Sequence, residues 1–191
     1  MKNVSLVLVA LVAVSFLTGC MSPSGDTVAE QKINAKKMAD EGLEMIYKRN
    51  PGLDKQVKEA AGYGVYKNIG VQWFIPSTES GWGIIHNNVT GENTYMRLFS
   101  IGLGIGLGFR DFRGILVFDN QQSIKDFVES GWGAHGQANA AFKFGDTGGS
   151  AAAAAEVMPG VNLYKVTVNG LVLQATFQGT KTWQNDDMNK K

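Results

Sequence analysis

The chain predicts an α+β fold: a short N-terminal helical segment followed by a mostly antiparallel, twisted β-sheet that is barrel- or sandwich-like. Three observations carry this. A helical apolar stripe is confined to the segment before Asn50. Short apolar or alternating runs bounded by turn residues fill the chain after Ala61. Finally, 24 glycines against 4 prolines favour turns, bulges and close strand contacts over a helical bundle.

Lys2 and the apolar run 4–16, too short to cross a bilayer, lead into Leu17-Thr18-Gly19-Cys20. A charged start, a short apolar core and small residues at a cleavage point are the layout of a secretory signal, here residues 1–19. The only cysteine stands where cleavage is expected, and Leu-small-Gly-Cys resembles the bacterial lipobox. That resemblance implies a diacylglyceryl group and an N-acyl chain on Cys20, with no other cofactor. One myristoyl-class chain binds membrane only marginally, at about 10⁴ M⁻¹, and two or more anchor stably. Met21 in place of an acidic residue implies sorting to the outer membrane, facing the periplasm.

Residues 20–27 read as the lipidated N-terminus and a linker, 28–185 as the folded domain and 186–191 as a polar tail. The segment 28–49 has helical spacing. Val28, Ala35, Ala39, Leu43 and Ile46 share one side with Met38 and Met45 flanking them, and Glu30, Lys37, Asp40, Glu44 and Lys48 lie opposite. Asn50-Pro51-Gly52 ends it, and 53–61 suits a second short helix with Leu53, Val57 and Ala60 inward. Strands are expected over 62–66, 83–86, 93–99, 100–109, 114–118, 138–144, 161–168 and 170–178, with Asn169-Gly170 as a hairpin signal. The segment 119–128 reads as a helix with Ile124, Phe127 and Val128 inward. The alanine run within 148–155 suits either a helix or a tightly packed strand.

Charge excludes one class of partner. The leader takes away one of the 18 basic residues, Lys2, leaving as many bases as the 17 acids, so bulk nucleic-acid binding is not implied. The stretch Gly102-Leu-Gly104-Ile-Gly106-Leu-Gly108 is not a nucleotide loop. Leu107 and Phe109 occupy the places of the third glycine in either frame, and no phosphate-loop Lys-Ser/Thr pair follows. Its period is that of a strand, with Ile101, Leu103, Ile105, Leu107 and Phe109 facing one way and four glycines leaving the other face bare. A bare face suits close internal packing or the approach of a lipid chain.

Ala60-Ala-Gly62-Tyr-Gly64-Val-Tyr66, then Gly102 through Arg110-Asp111 with Ile115-Leu-Val-Phe-Asp-Asn120, then Leu163-Tyr164, Asn169-Gly170-Leu171 and Gln178-Gly179 occur in that order. In these elements the chain resembles the SYLF domain, a family of lipid-binding modules. Departures are Asn93-Thr94-Tyr95-Met96 where the family often has Trp-Ser-x-Pro, Gly148-Gly149 for Gly-Pro, and Gln178 for the closing acid. The resemblance implies binding to membrane lipids, with Lys32, Lys36, Lys37, Gly102, Gly104, Gly106, Gly108, Trp82 and Trp132 as candidate contacts. The helical lysines are offset by seven acidic residues between Asp26 and Glu59, so the segment is amphipathic but neutral. Packing against the strands is its simpler role.

Ser80-Gly-Trp82-Gly and Ser130-Gly-Trp132-Gly repeat a turn that either buries or presents an indole. Asp111 and Asp119 suit cation binding or turn formation. His86 and His135 stand far apart without a ligand set at metal spacing, and no G-x-S-x-G elbow occurs. The expected function is a non-enzymatic lipid-binding module of the bacterial envelope. The alternatives are an assembly lipoprotein binding another envelope protein, and an envelope hydrolase built on one of the histidines.

Overall fold

A computed structural model describes residues 22–74, 77–103, 106–131, 155–167 and 177–190. Helix α1 (Val28–Arg49) and helix α2 (Leu53–Glu59) come first. Strands β1 (Gly62–Phe74), β2 (Ser77–Asn87), β3 (Asn93–Leu103) and β4 (Gly106–Phe118) follow. Helix α3 (Gln121–Ser130), strands β5 (Ala155–Met158), β6 (Val161–Thr167) and β7 (Phe177–Gln184), and the single turn α4 (Asp186–Asn189) complete the order. Among the described residues no helix is long and apolar enough to cross a membrane.

Helix α1 starts at Thr27, whose hydroxyl accepts the Glu30 amide while the Glu30 carboxylate accepts the Thr27 amide. Such a cap is worth about 1 kcal/mol. Ala35, Met38, Ala39, Gly42 and Ile46 form the buried stripe. The expected face is therefore right at its centre, but Met38 lies in it rather than beside it and Val28 is 42% exposed.

The strands form one antiparallel sheet in the order β5-β6-β4-β1-β2-β3-β7. Residues paired across neighbouring strands share a face. The row Tyr95, Ile84, Val65, Ile115, Tyr164 meets α1, α2 and Met188 of α4. Met188 is 1% exposed, so the expected polar tail closes one end of this core. The opposite face carries Met96, Tyr66, Leu116, Phe118 and Leu163, packed on Ile124 and Phe127 of α3.

The sheet is curled into a half-barrel, and two constraints require it. Helix α3 packs on both β4 and β7, four places apart, or about 19 Å in a flat sheet, whereas a helix is only about 10–12 Å across. The chain also passes from Leu103 to Gly106 in three residue steps, at most about 11 Å, although β3 and β4 stand three places apart, about 14 Å if flat. The α3 face is thus the inside of the curl and the α1 face the outside.

The strand boundaries differ from expectation at three places. The expected strand 100–109 is the end of β3 and the start of β4, so the glycine run belongs to two strands separated by the β1–β2 hairpin. β1 and β2 run on well past the apolar segments that announced them, through polar residues such as Lys67, Asn68, Thr78 and Glu79. β7 and β5 were not expected over most of their lengths. The expected strand 138–144, most of 170–178 and the Asn169-Gly170 turn lie outside the described residues.

Candidate functional site

The tip end of the half-barrel, where β1–β4 reach past the helices, combines the features singled out in the sequence. Gly102 pairs with Ser77 and Gln178, Ser77 with Gln72, and Gln72 with Gly108. Gly102 and Gly108 therefore stand in one row on the inner face, and Gly106 has the same parity one row further out, opposite Phe74. The expected bare face is present strand by strand, but it lines the inside of a curl rather than one flat strand. A tightly curled sheet crowds its inner side chains, and glycine relieves that crowding. Gly104 lies outside the described residues.

On the outer face, exposure climbs along β3 as it leaves the helical cover: Tyr95 is 8% exposed, Phe99 37% and Ile101 56%. Phe99 pairs with Ser80 and Lys181, and Ile101 with Thr78 and Gly179. An aromatic and a branched aliphatic residue thus form an open apolar step beside a lysine.

The other candidates fall elsewhere. The expected Ser80-Gly-Trp82-Gly turn is instead the middle of β2, where pairing on both sides keeps it extended, and Trp82 is buried among the residues beneath α1, so the indole is clamped and not presented. Its neighbour Gly83 lies under the Tyr66 ring. Lys32 sits 5.5 Å from the centroid of the Tyr95 ring, a cation–π contact that ties α1 to β3. Lys36 meets Asp40 at 3.5 Å. Lys36 and Lys37 border a shallow depression of about 470 Å³ together with Ile33, Asp40, Glu41 and Glu44. Its acids outnumber its lysines, so it offers an anionic headgroup no net attraction. Cys20, Trp132 and His135 lie outside the described residues.

Asp111 is held by Arg113 at 2.5 Å, with the guanidinium side chain only 9% exposed, and Asp119 accepts a hydrogen bond from Asn162 at 3.5 Å. Asp111 is thus held within the sheet, and Asp119 belongs to the exposed bend that follows β4. His86 Nδ1 lies 2.8 Å from Asn93 Oδ1 and its ring stacks obliquely on Tyr63. Among the described residues no group of three or more His, Cys, Asp or Glu side chains is placed to hold a metal ion. Burial raises the Tyr66 hydroxyl well above its ordinary pKa. Burial, helped by Tyr63 and Asp54, pushes Tyr47 up to about 12.

Sequence reasoning missed the exposed Phe99–Ile101 step and the buried Glu79. Both follow from strand parity: once Tyr95 is inside under the helix, Phe99 and Ile101 must share its face with nothing above them.

No family model matches the chain. It is similar to Beta cell expansion factor A of Aeromonas veronii, with 29% identity over 164 residues, which is 85% of this chain. The match covers 60% of that protein, so the chain spans less than two thirds of its relative's length.

Proposed function

We propose that the chain is a lipid-anchored, non-enzymatic membrane-binding module of the bacterial cell envelope, of the SYLF type. The observation that carries this reading is the outward Phe99–Ile101 step beside Lys181 at the tip of the half-barrel. An apolar pair flanked by a cation suits the boundary between acyl chains and headgroups, where apolar groups bury and lysines snorkel. The lipobox-like segment ending at Cys20 would keep the domain at that boundary, on the periplasmic side of the outer membrane. The anchor supplies residence and the tip supplies contact. A second reading, supported by the same exposed pair, is docking to another envelope protein. The hydrolase alternative gains nothing at His86, which meets Asn93 and Tyr63 rather than a serine or carboxylate.

The test is co-sedimentation of residues 21–191, without acyl chains, on vesicles of zwitterionic and of anionic envelope lipids at two salt concentrations. Saturable binding that survives salt supports an apolar tip contact. Binding that disappears with salt would instead assign contact to the lysines of α1. No binding to either vesicle overturns the reading and leaves a protein partner.

A further inference from the structure

One row inside the curl is polar: Thr180 on β7, Ser100 on β3 and Glu79 on β2, followed by Gly70 on β1 and Arg110 on β4. Glu79 and Ser100 are each 2% exposed and Thr180 7%. Ser100 Oγ and Thr180 Oγ1 lie 2.8 Å apart, one hydroxyl donating a hydrogen bond to the other. Glu79 Oε1 is buried without a hydrogen-bond partner, and so is Asn68 Oδ1, one row further in across Gly81. A carboxylate withdrawn from water needs a compensating charge or proton, and a buried acceptor needs a donor. A single positive charge set among these oxygens would meet both needs at once.

We infer that the inside of the half-barrel holds a site for a single positive charge, either a monovalent cation or a primary ammonium group, centred on Glu79 with Asn68 and the Ser100–Thr180 hydroxyls as further oxygens. The charge count selects this class. One carboxylate balances one positive charge, whereas tight divalent sites of oxygen ligands draw on several carboxylates. The inference goes beyond membrane attachment and stands whether or not the tip binds lipid.

The experiment is thermal melting of the full chain at constant ionic strength, with tetramethylammonium chloride replaced stepwise by potassium, sodium or methylammonium chloride. A saturable rise in midpoint with at least one replacement is expected, and Glu79→Gln should weaken its half-saturation by about tenfold or more. A response to potassium or sodium assigns an inorganic ion; a response to methylammonium alone assigns an amine, the chemistry of an ethanolamine headgroup. Equal melting in all four salts overturns the site, as does an undiminished response in Glu79→Gln. Should Glu79→Gln not fold, Ser100→Ala replaces it, and an unchanged response there has the same meaning. Arg110 stands two strands from Glu79 in register: strong coupling between Glu79→Gln and Arg110→Gln in a double-mutant cycle, without a cation response, overturns the inference as well.

Discussion

The half of the sheet that lies between the helices and the half that reaches past them use the same strands for different ends. Between the helices, both faces are apolar and closed: Val65, Ile84 and Ile115 under α1, Phe118 and Met96 against α3. Past them, β3 turns Phe99 and Ile101 outward and Ser100 inward, and β4 begins with two glycines of inner parity. Strand alternation continues unbroken through the boundary; what changes is whether anything covers it. One half is thus closed on both faces, and the other carries apolar groups whose burial is incomplete and a buried carboxylate oxygen without a partner.

The largest effect should come from the closed half. Phe127 is fully buried, edge-on to Phe118 at 5.4 Å and to Tyr66 at 6.4 Å, and is the residue by which α3 holds the curl together. Phe127→Ala should cost about 3–5 kcal/mol, read from denaturant unfolding. A loss below about 1 kcal/mol would mean that α3 does not hold the curl. Next is Gly83→Ala, whose added carbon would meet the Tyr66 ring at 2.6 Å and the Val65 carbonyl at 2.7 Å. Because backbone must move, about 1–3 kcal/mol is expected, and an unchanged midpoint would mean that Tyr66 does not lie on Gly83.

A smaller effect, read by pH, belongs to the closed half. Tyr66, buried without a hydrogen-bond partner, and Tyr47, at about 12, both titrate later in the folded chain than in the unfolded one. Folded and unfolded chains hold these protons equally below pH about 10, the ordinary tyrosine value. Above it the unfolded chain loses protons first, so stability should fall as pH rises through 10 towards 12. Tyr66→Phe removes one such group together with an unmet buried hydroxyl. It should leave neutral-pH stability equal or higher and move the alkaline transition up, followed by tyrosinate absorbance. An unmoved transition would place the titration elsewhere.

How much of this was legible in sequence follows the same boundary. The α1 stripe, the helix with Ile124 and Phe127 inward and the β-rich remainder were readable because burial there is continuous, and continuous burial writes a period. The extents of β1 and β2 were not, since Lys67, Asn68, Thr78 and Glu79 interrupt the apolar pattern exactly where helical cover ends. The glycine run was readable as a strand with one bare face, but not as two strands, because nothing local says that the chain crosses the β1–β2 hairpin between Leu103 and Gly106. By residue type Trp82 could be buried or presented, and Lys32 could meet lipid or sit on a helix that simply packs on the strands. Their true settings, under α1 and over the Tyr95 ring, depend on which strand lies next to which.

The smallest expected effect on stability is the one that most sharply divides the two halves. Phe99 and Ile101 are exposed, so replacing both with serine removes little buried surface and should change unfolding free energy by about 0.5 kcal/mol or less. If the tip is the membrane contact, the same double variant should lose most vesicle binding while it melts as the parent does, because apolar area transferred into lipid is worth roughly 25 cal/mol per Å² only where that area starts in water. Two other results would redraw the boundary. A variant that binds vesicles unchanged would move the contact away from β3. One that unfolds markedly earlier would mean that Phe99 and Ile101 are covered within the folded chain, and the difference between the halves would then be one of composition rather than exposure.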